Sequence, residues 1–447
     1  MIVMKFGGSS VESAAAIEQV VSIVRDRRES RPVVVVSAMG KTTNRLLAAA
    51  AAAVNGRRPR ALDELVALEE YHLQEGGSLD GLVSTHFREL AELVKGLAAL
   101  GELTPRSSDA ISSYGERLSS LILADALRRG GVDAAHLDAR ELIVTDSRHT
   151  QAAPLTEKTY ARLAEAIPPL VRDRVVVLGG FIGATEDGVT TTLGRGGSDF
   201  SAALVGAGIG AEEIHIWTDV DGMLTCDPRI LPGGHRVKAL SFAEAAELAY
   251  FGAKVLHPAT VLPAIEKNIP VLILNSRRPE VSGTRIVPER VPCDNLFKSI
   301  ACKPGITVVS IHSTRMLMAH GFLRRIFEVF DRWETAVDMV ATSEVSVSLT
   351  IDNTAALPRI TRELEQFSEV AVEADQAIVC LVGDNIRHTP GIAGRVFRAL
   401  NGVNIRMISQ GASRLNLSFV LAGEDLRPAV EALHREFFSE LDPKVFE

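Results

Sequence analysis

The chain opens on a strand-like run at residues 2–6 that ends in a glycine pair, continues through an amphipathic stretch at 12–28, and reaches the valine-rich run VVVVS at 33–37. Two short apolar runs separated by a helical pattern form a strand–helix–strand unit, and strands joined in this way lie parallel. That unit commits the N-terminal part of the chain to a layered α/β sheet. Further β-branched runs at 175–178, 214–217 and 270–274 alternate with helical stretches near 198–207, 241–251 and 259–267, so the layering continues. The segment 41–130 is rich in Ala, Leu and Glu and broken at Gly76-Gly77, Gly101 and Pro105. It reads as helices covering one edge or face of the sheet, with the alanine run 48–53 suited to tight helix packing.

Pro279, Gly283, Pro288 and Pro292 punctuate a short span that reads as a linker. Beyond it the chain repeats itself. Gly321-Phe322 through Phe327 and Phe330 matches Gly391-Ile392 through Phe397 and Leu400, Val337–Val340 matches Ile405–Ile408, and Val345–Leu349 matches Leu415–Phe419. With a strand before each copy (306–311 and 377–382) and a helix after it (356–366 and 425–437), each is a β-α-β-β-α unit. The expected division is a catalytic α/β domain at 1–290 and two small repeated domains at 291–376 and 377–447.

A chain of 447 residues exceeds one ordinary core, in keeping with two or three domains. Its formal charge of −8 and aromatic content of 5% argue against nucleic acid as a partner, and Arg57, Arg58 and Arg60 read as a solvated loop. Cys226, Cys293, Cys302 and Cys380 form no CxxC pair, so spacing encodes neither a disulfide framework nor a zinc site. The expectation is a cytoplasmic protein with no membrane span, no signal peptide and no residue singled out as a metal ligand.

Lys5-Phe6-Gly7-Gly8-Ser9-Ser10 falls where the first strand gives way to the first helix. Unpaired N–H groups there stabilise anions, glycines admit a phosphate to the backbone, and the lysine adds a full positive charge. Gly194-Arg195-Gly196-Gly197-Ser198-Asp199 is a second glycine-rich loop opening a helix, again with a cation inside it. Two anion cradles imply a large polyanion or two anionic ligands. Arg195 offers the planar fork that fits a carboxylate, and Asp199 suits an ammonium group or the orientation of Lys5. Gly40-Lys41-Thr42 looks like the end of a phosphate-binding P-loop, but Val35 stands where the earlier glycine belongs. The turn from Ser37 to Thr43 remains of interest, since open α/β sheets bind ligands at the carboxyl ends of their strands.

These motifs taken in order resemble the aspartate kinases of the monofunctional, lysine-inhibited type within the amino-acid-kinase superfamily. The matching pieces are KFGGSSV from Lys5, VVSAMGKTTN ending at Asn44, SYGERLS around Glu116, GRGGSD from Gly194, WTDVDG from Trp217, DPR at Asp227 and FGAKVLHP from Phe251. The resemblance implies a three-layer αβα kinase domain followed by two ferredoxin-like βαββαβ ACT domains, using ATP and Mg²⁺. It assigns Lys5 to the transferring phosphate, Ser37, Ala38 and Thr43 to the reacting carboxylate, Glu116 to the substrate ammonium, Arg195 to the α-carboxylate and Asp199 to organisation of the site. Gly7, Gly8 and Ser9, with Thr218, Asp219, Asp227, Arg229 and Lys254, would border the nucleotide. Leu224 departs from the family, whose members often carry Tyr there. The ACT pair implies an effector near Met316, Gly321-Phe322-Leu323, Val337-Asp338 and Thr342-Ser343-Glu344, with lysine preferred over threonine, and a homodimer or larger assembly.

The implied reaction converts ATP and L-aspartate into ADP and 4-phospho-L-aspartate, the first step of lysine, threonine and methionine biosynthesis. A carboxylate is already a nucleophile at neutral pH, so charge control and in-line positioning matter more than a base. His257 accordingly reads as a structural contact. The rivals are a superfamily kinase acting on glutamate, acetylglutamate or a nucleotide, and a non-catalytic amino-acid sensor.

Overall fold

The computed structural model describes residues 1–77, 79–252, 258–313, 320–384 and 386–447. The chain forms two compact units: Met1–Met223 with a stretch ending at Glu289, and a stretch beginning at Leu224 with Arg290–Glu447. The first unit opens with β1 (Ile2–Phe6), α1 (Ala14–Asp26), β2 (Pro32–Val36), α2 (Thr42–Val54), α3 (Arg58–Gly76), α4 (Asp80–Leu100), α5 (Pro105–Ser112) and α6 (Tyr114–Arg129). It continues with β3 (Ala134–Leu137), α7 (Ala139–Leu142), α8 (Thr156–Leu170), β4 (Val175–Gly179), β5 (Ile182–Ala184), β6 (Thr190–Thr192), α9 (Gly197–Ile209) and β7 (Glu213–Thr218). After β8 (Ala239–Ser241) and α10 (Phe242–Tyr250), which lie in the second unit, α11 (Leu262–Glu266), β9 (Val271–Asn275) and β10 (Thr284–Val287) complete the first.

Its main sheet runs β3-β4-β2-β1-β7-β9-β10, parallel except for β10. Ile2, Met4 and Phe6 of β1 join Val34 and Val36 of β2 in a core built with α1 to α4 and α6. On the other face α9 carries glycine where it meets its neighbours: a Cβ at Gly206 would stand 2.6 Å from Ile214 Cδ1 of β7, and one at Gly208 2.8 Å from Leu163 Cδ1 of α8. Two helical layers around a buried parallel sheet make the αβα sandwich. Arg58 and Arg60, read as loop residues, instead begin α3, where they remain exposed.

The second unit continues with β11 (Ser299–His312), α12 (Phe322–Arg332), β12 (Val340–Thr342), β13 (Ser346–Ile351), α13 (Leu357–Leu364) and β14 (Glu369–Val382). It ends with α14 (Ile392–Ala399), β15 (Met407–Gln410), β16 (Asn416–Ala422) and α15 (Leu426–Phe437). One antiparallel sheet, ordered β12-β13-β11-β14-β16-β15, carries both repeats. The two long central strands are shared between the repeats. Residues 299–304 of β11 pair with 377–382 of β14, while 308–312 pair with 369–373. The second repeat is thus closed by a strand segment that precedes the first. The stretch beginning at Leu224 is bonded into this unit, with Thr225 Oγ1 2.9 Å from His434 Nε2 and Glu247 accepting from Ser413 Oγ and Asn416 Nδ2.

Candidate active site

β1, β2 and β4 end side by side, with Phe6 opposite Val36 and Val36 opposite Gly179, so the loops that follow them open on the same edge. This is the carboxyl edge, where open parallel sheets bind ligands. Met4 and Phe6 face the helical core, which turns Lys5 toward the start of α9. There its ammonium lies 2.6 Å from Asp199 Oδ1, with both side chains largely shielded from solvent. Asp199 occupies the first turn of α9, where the helix dipole favours a carboxylate. The turns after β1 and β2 interlock: Gly40 N–H donates to Gly8 O at 3.0 Å, and a Cβ on Gly8 would stand 2.8 Å from the carbonyl oxygens of both Ala38 and Gly40.

Glu116 lies in the first turn of α6 and is only 4% exposed. Gly115 makes its placement possible, since a Cβ there would meet Ala38 Cβ at 2.7 Å. Glu116 Oε1 accepts from Ala38 N–H at 3.2 Å, whereas Oε2 is buried without a hydrogen-bond partner among the described residues. Burial pushes the carboxyl up from 4.5 to about 8, only partly opposed by that N–H. Because the folded value lies above the ordinary one, any stability Glu116 contributes is complete below about 4.5 and is lost as pH rises through about 8. A buried carboxyl with an open oxygen is suited to a cation.

The loop carrying Arg195 follows β6 and begins and ends on left-handed glycines, Gly194 at φ 77° and Gly196 at φ 73°. Arg195 itself is exposed and makes no hydrogen bond or ion pair among the described residues. Lys5, Gly8, Ser37, Ala38, Thr43, Glu116, Arg195 and Asp199 all line one cleft of about 580 Å³. The structure thus brings together the residues expected to face the transferring phosphate and the substrate.

The same cleft is lined by Lys41 and by three residues that no motif announced, Asp109, Thr150 and Phe181. Lys41 belongs to the turn dismissed as a P-loop, and it stands exposed at this cleft even so. Thr150 and Phe181 hold φ of 70° and 64°, backbone conformations that non-glycine residues rarely adopt and that cluster at functional sites. Positive φ outside glycine has no sequence signal. Asp109 is 1% exposed and sits in the short helix α5.

The residues expected at the nucleotide are more dispersed. Gly7 N–H donates to Trp217 O at 3.1 Å, and Ser9 lies in the helical turn Gly8–Ser10. Thr218 Oγ1 donates to Asp219 Oδ1 at 3.2 Å just beyond the end of β7. Asp227 and Arg229 belong to the second unit, where the guanidinium engages the carboxylate in a fork with Nε at 3.0 and 3.1 Å. Leu224 O accepts from Ser299 Oγ there. Lys254 and His257 lie outside the described residues, as does Met316 of the effector set.

The other effector residues gather around α12 and β12. Gly321 caps α12 at φ 80°, Phe322 is buried, Leu323 is exposed, and Val337 packs against the local core. Asp338 Oδ1 lies 2.8 Å from Lys303 Nζ, which also meets Asp352 Oδ2 at 2.8 Å, while Asp338 Oδ2 is buried without a hydrogen-bond partner among the described residues. Burial holds the Asp338 carboxyl above its usual value despite Lys303. Thr342 ends β12, Ser343 Oγ accepts from Ser346 N–H, and Glu344 is exposed.

Residues 1–275 match the family model of the amino acid kinase family, and residues 379–437 match a model of the ACT domain. Aspartokinase 1, chloroplastic, of Arabidopsis thaliana is 41% identical over 98% of this chain and 80% of its own length. Lysine-sensitive aspartokinase 3 of Escherichia coli is 37% identical over 98% of this chain and 99% of its own. The chain belongs to the aspartokinase family. It is an ATP-dependent kinase acting on a carboxyl group of aspartate. The crystal structure of E. coli aspartokinase III with aspartate and ADP superposes on this aspartokinase with a TM-score of 0.84 at 35% identity, covering 98% of this chain and 100% of that one. A second structure of the same enzyme, in complex with lysine and aspartate and described as the T-state, matches equally well. No helix among the described residues is long and apolar enough to cross a membrane.

Proposed function

We propose that this aspartokinase transfers the γ-phosphate of ATP to the β-carboxylate of L-aspartate, giving ADP and 4-phospho-L-aspartate, at the head of lysine, threonine and methionine biosynthesis. The observation that carries this reading is the pairing, in one cleft with Lys5, of a buried carboxyl that has an open oxygen and a guanidinium that, among the described residues, has no partner. Glu116 receives the α-ammonium and Arg195 the α-carboxylate, which leaves the β-carboxylate at Ser37, Ala38 and Thr43. Lys5, steered by Asp199, neutralises the phosphoryl group in transit, and the Gly7-Gly8-Ser9 turn receives the polyphosphate. Thr218, Asp219, Asp227, Arg229 and Lys254 are assigned to the rest of the nucleotide. Among the described residues no group of three or more His, Cys, Asp or Glu forms a metal cage. Mg²⁺ fits as a companion of the nucleotide, with Asp199 the nearest acid to Lys5, and it supplies charge neutralisation on the phosphates.

Trapping the acyl phosphate with hydroxylamine tests the reaction directly. Aspartate is expected to give aspartyl hydroxamate, while glutamate, acetylglutamate and nucleoside monophosphates give none. A hydroxamate formed from glutamate in preference to aspartate would assign the cleft to another acceptor.

The ammonium role of Glu116 has a pH signature. Below about 8 the free carboxyl holds a proton, and a bound ammonium stabilises the ionised form, so aspartate binding releases that proton. The kcat/KM for aspartate should climb with its midpoint near pH 8 and level off only above it, and Glu116→Gln should flatten the climb while raising KM about 10- to 100-fold, the size of a charge-assisted hydrogen bond. An unchanged profile in the variant would assign the ammonium elsewhere.

Lysine is proposed as the inhibitor, held in the second unit with its side-chain ammonium at Asp338 and Glu344 and the rest of it against Met316, Gly321, Phe322, Leu323, Val337, Thr342 and Ser343. β12 and β15 end the six-stranded sheet, and alignment of a second copy on such an edge supports a homodimer or larger assembly. A catalytic domain at 1–290 with ACT domains at 291–376 and 377–447 remains the proposed division.

A further inference from the structure

The buried carboxylate of Asp109 lies outside every motif, yet it bonds both the strand that leads into the Arg195 loop and the turn packed against that loop. Its Oδ1 accepts from Thr192 Oγ1 at 2.6 Å, on the strand that leads into Gly194. Both oxygens accept from Thr150 N–H at 3.0 Å, and Oδ2 lies 2.7 Å from His149 Nδ1. Thr150 in turn packs under the loop, since a Cβ on Gly194 would meet Thr150 O at 3.1 Å. Ala152 N–H donates to Thr192 O and closes the ring between turn and strand.

The backbone of Asp109 is also joined to the start of the helix that bears Glu116. Its backbone carbonyl accepts from Ser113 N–H at 3.0 Å, and Ser113 caps α6, the helix that bears Glu116. One residue therefore connects the Arg195 side to the Glu116 side. We infer that Asp109 is a positioning residue for the amino-acid substrate, fixing the separation between Arg195 and Glu116 through Thr150 and Thr192. The inference rests on the reading that Arg195 and Glu116 hold the two charged groups on the α-carbon.

The strained turn explains why a carboxylate is needed. Threonine is β-branched and resists a φ of 70°, so the turn keeps this shape only while something holds its N–H. An ionised carboxylate accepts through both oxygens at once, whereas asparagine offers one acceptor and turns an amide N–H₂ toward Thr150 or His149. Glycine at position 150 adopts the same conformation without the penalty and makes the carboxylate less necessary.

Steady-state kinetics with both substrates tests this. Asp109→Asn should raise KM for aspartate at least tenfold with KM for ATP within twofold, and Thr192→Val should raise the aspartate KM severalfold in the same selective way. Adding Thr150→Gly to Asp109→Asn should restore at least threefold of the loss, which a generally destabilising lesion would not show. An aspartate KM within twofold of the parent in Asp109→Asn, a parallel rise in both KM values, or no recovery with Thr150→Gly overturns the inference. If Asp109→Asn does not fold, Thr192→Val decides it alone, and an unchanged aspartate KM there is the overturning result. Arg195→Leu separates this from the reading beneath it: a normal aspartate KM in that variant removes the role of Arg195, whereas a raised KM there with a normal one in Asp109→Asn removes only the positioning role.

Discussion

Replacing Lys5 with alanine should lower kcat about 10²–10³-fold, worth about 2.7–4 kcal/mol of transition-state stabilisation, the size measured when one preorganised electrostatic donor is removed. Lys5 Nζ projects from the central strand β1 and is held 2.6 Å from Asp199, with both side chains largely shielded from solvent. Two anions, a carboxylate and a phosphoryl group, must approach one another there, and negative charge spreads over the phosphoryl oxygens as transfer proceeds. An ammonium that needs no reorientation at that moment helps the transition state more than the ground state. The substitution also leaves Asp199 facing the phosphate unneutralised, which adds repulsion. Aspartate KM should move only severalfold, because Arg195 and Glu116 remain. Initial rates of ADP release, measured against both substrates, distinguish the cases. A kcat within threefold of the parent, or a large rise in aspartate KM at constant kcat, would show that Lys5 serves binding and not transfer.

The parts of this site that sequence made legible share one property: their chemistry requires a particular residue beside a particular backbone shape. Gly8 admits two carbonyl oxygens within 2.8 Å of where a Cβ would stand, and Gly115 lets α6 close on Ala38, so glycine and the functional residue travel together as a motif. The sheet was legible for a related reason, since β2 and β4 are buried on both faces and must be written in continuous apolar runs. Asp109, Thr150 and Phe181 lack such a signature. Their contribution comes from long-range contacts, such as Asp109 meeting Thr192 across 83 positions, and from a backbone strain that threonine and phenylalanine do not advertise. The strand exchange in the second unit was equally hidden. The repeat showed two similar copies, but pairing of 299–304 with 377–382 depends on two strands long enough to serve both, which a match between copies does not reveal. The stretch beginning at Leu224 continues the α/β alternation in its pattern, yet its polar side chains are bonded within the second unit.

Another contact of that stretch, at Glu244, sets the second large expectation. Lys298 is fully buried, and its ammonium lies 2.8 Å from Glu244 Oε1, 2.9 Å from Oε2 and 2.6 Å from Val291 O. Glu244, 2% exposed, also closes the N-terminus of α10, accepting from Ser241 N–H and Ser241 Oγ in a capping box. Lys298→Met keeps the apolar stem but strands a carboxylate in the interior, a change that costs about 3–5 kcal/mol when a buried pair loses one member. Denaturant unfolding followed by a probe in the second unit should show its transition moved by that amount, since a chain of two units need not unfold in one step. Adding Glu244→Gln should recover most of the loss, because glutamine can still serve the capping box without a charge and methionine fills the volume of the lysine stem. The double variant is the sharper measurement: were it as unstable as Lys298→Met alone, the cost would lie in lost packing around position 298 and not in an unpaired charge. A recovery to within about 1 kcal/mol of the parent would instead show that the ion pair contributes little net stability once its own desolvation is counted.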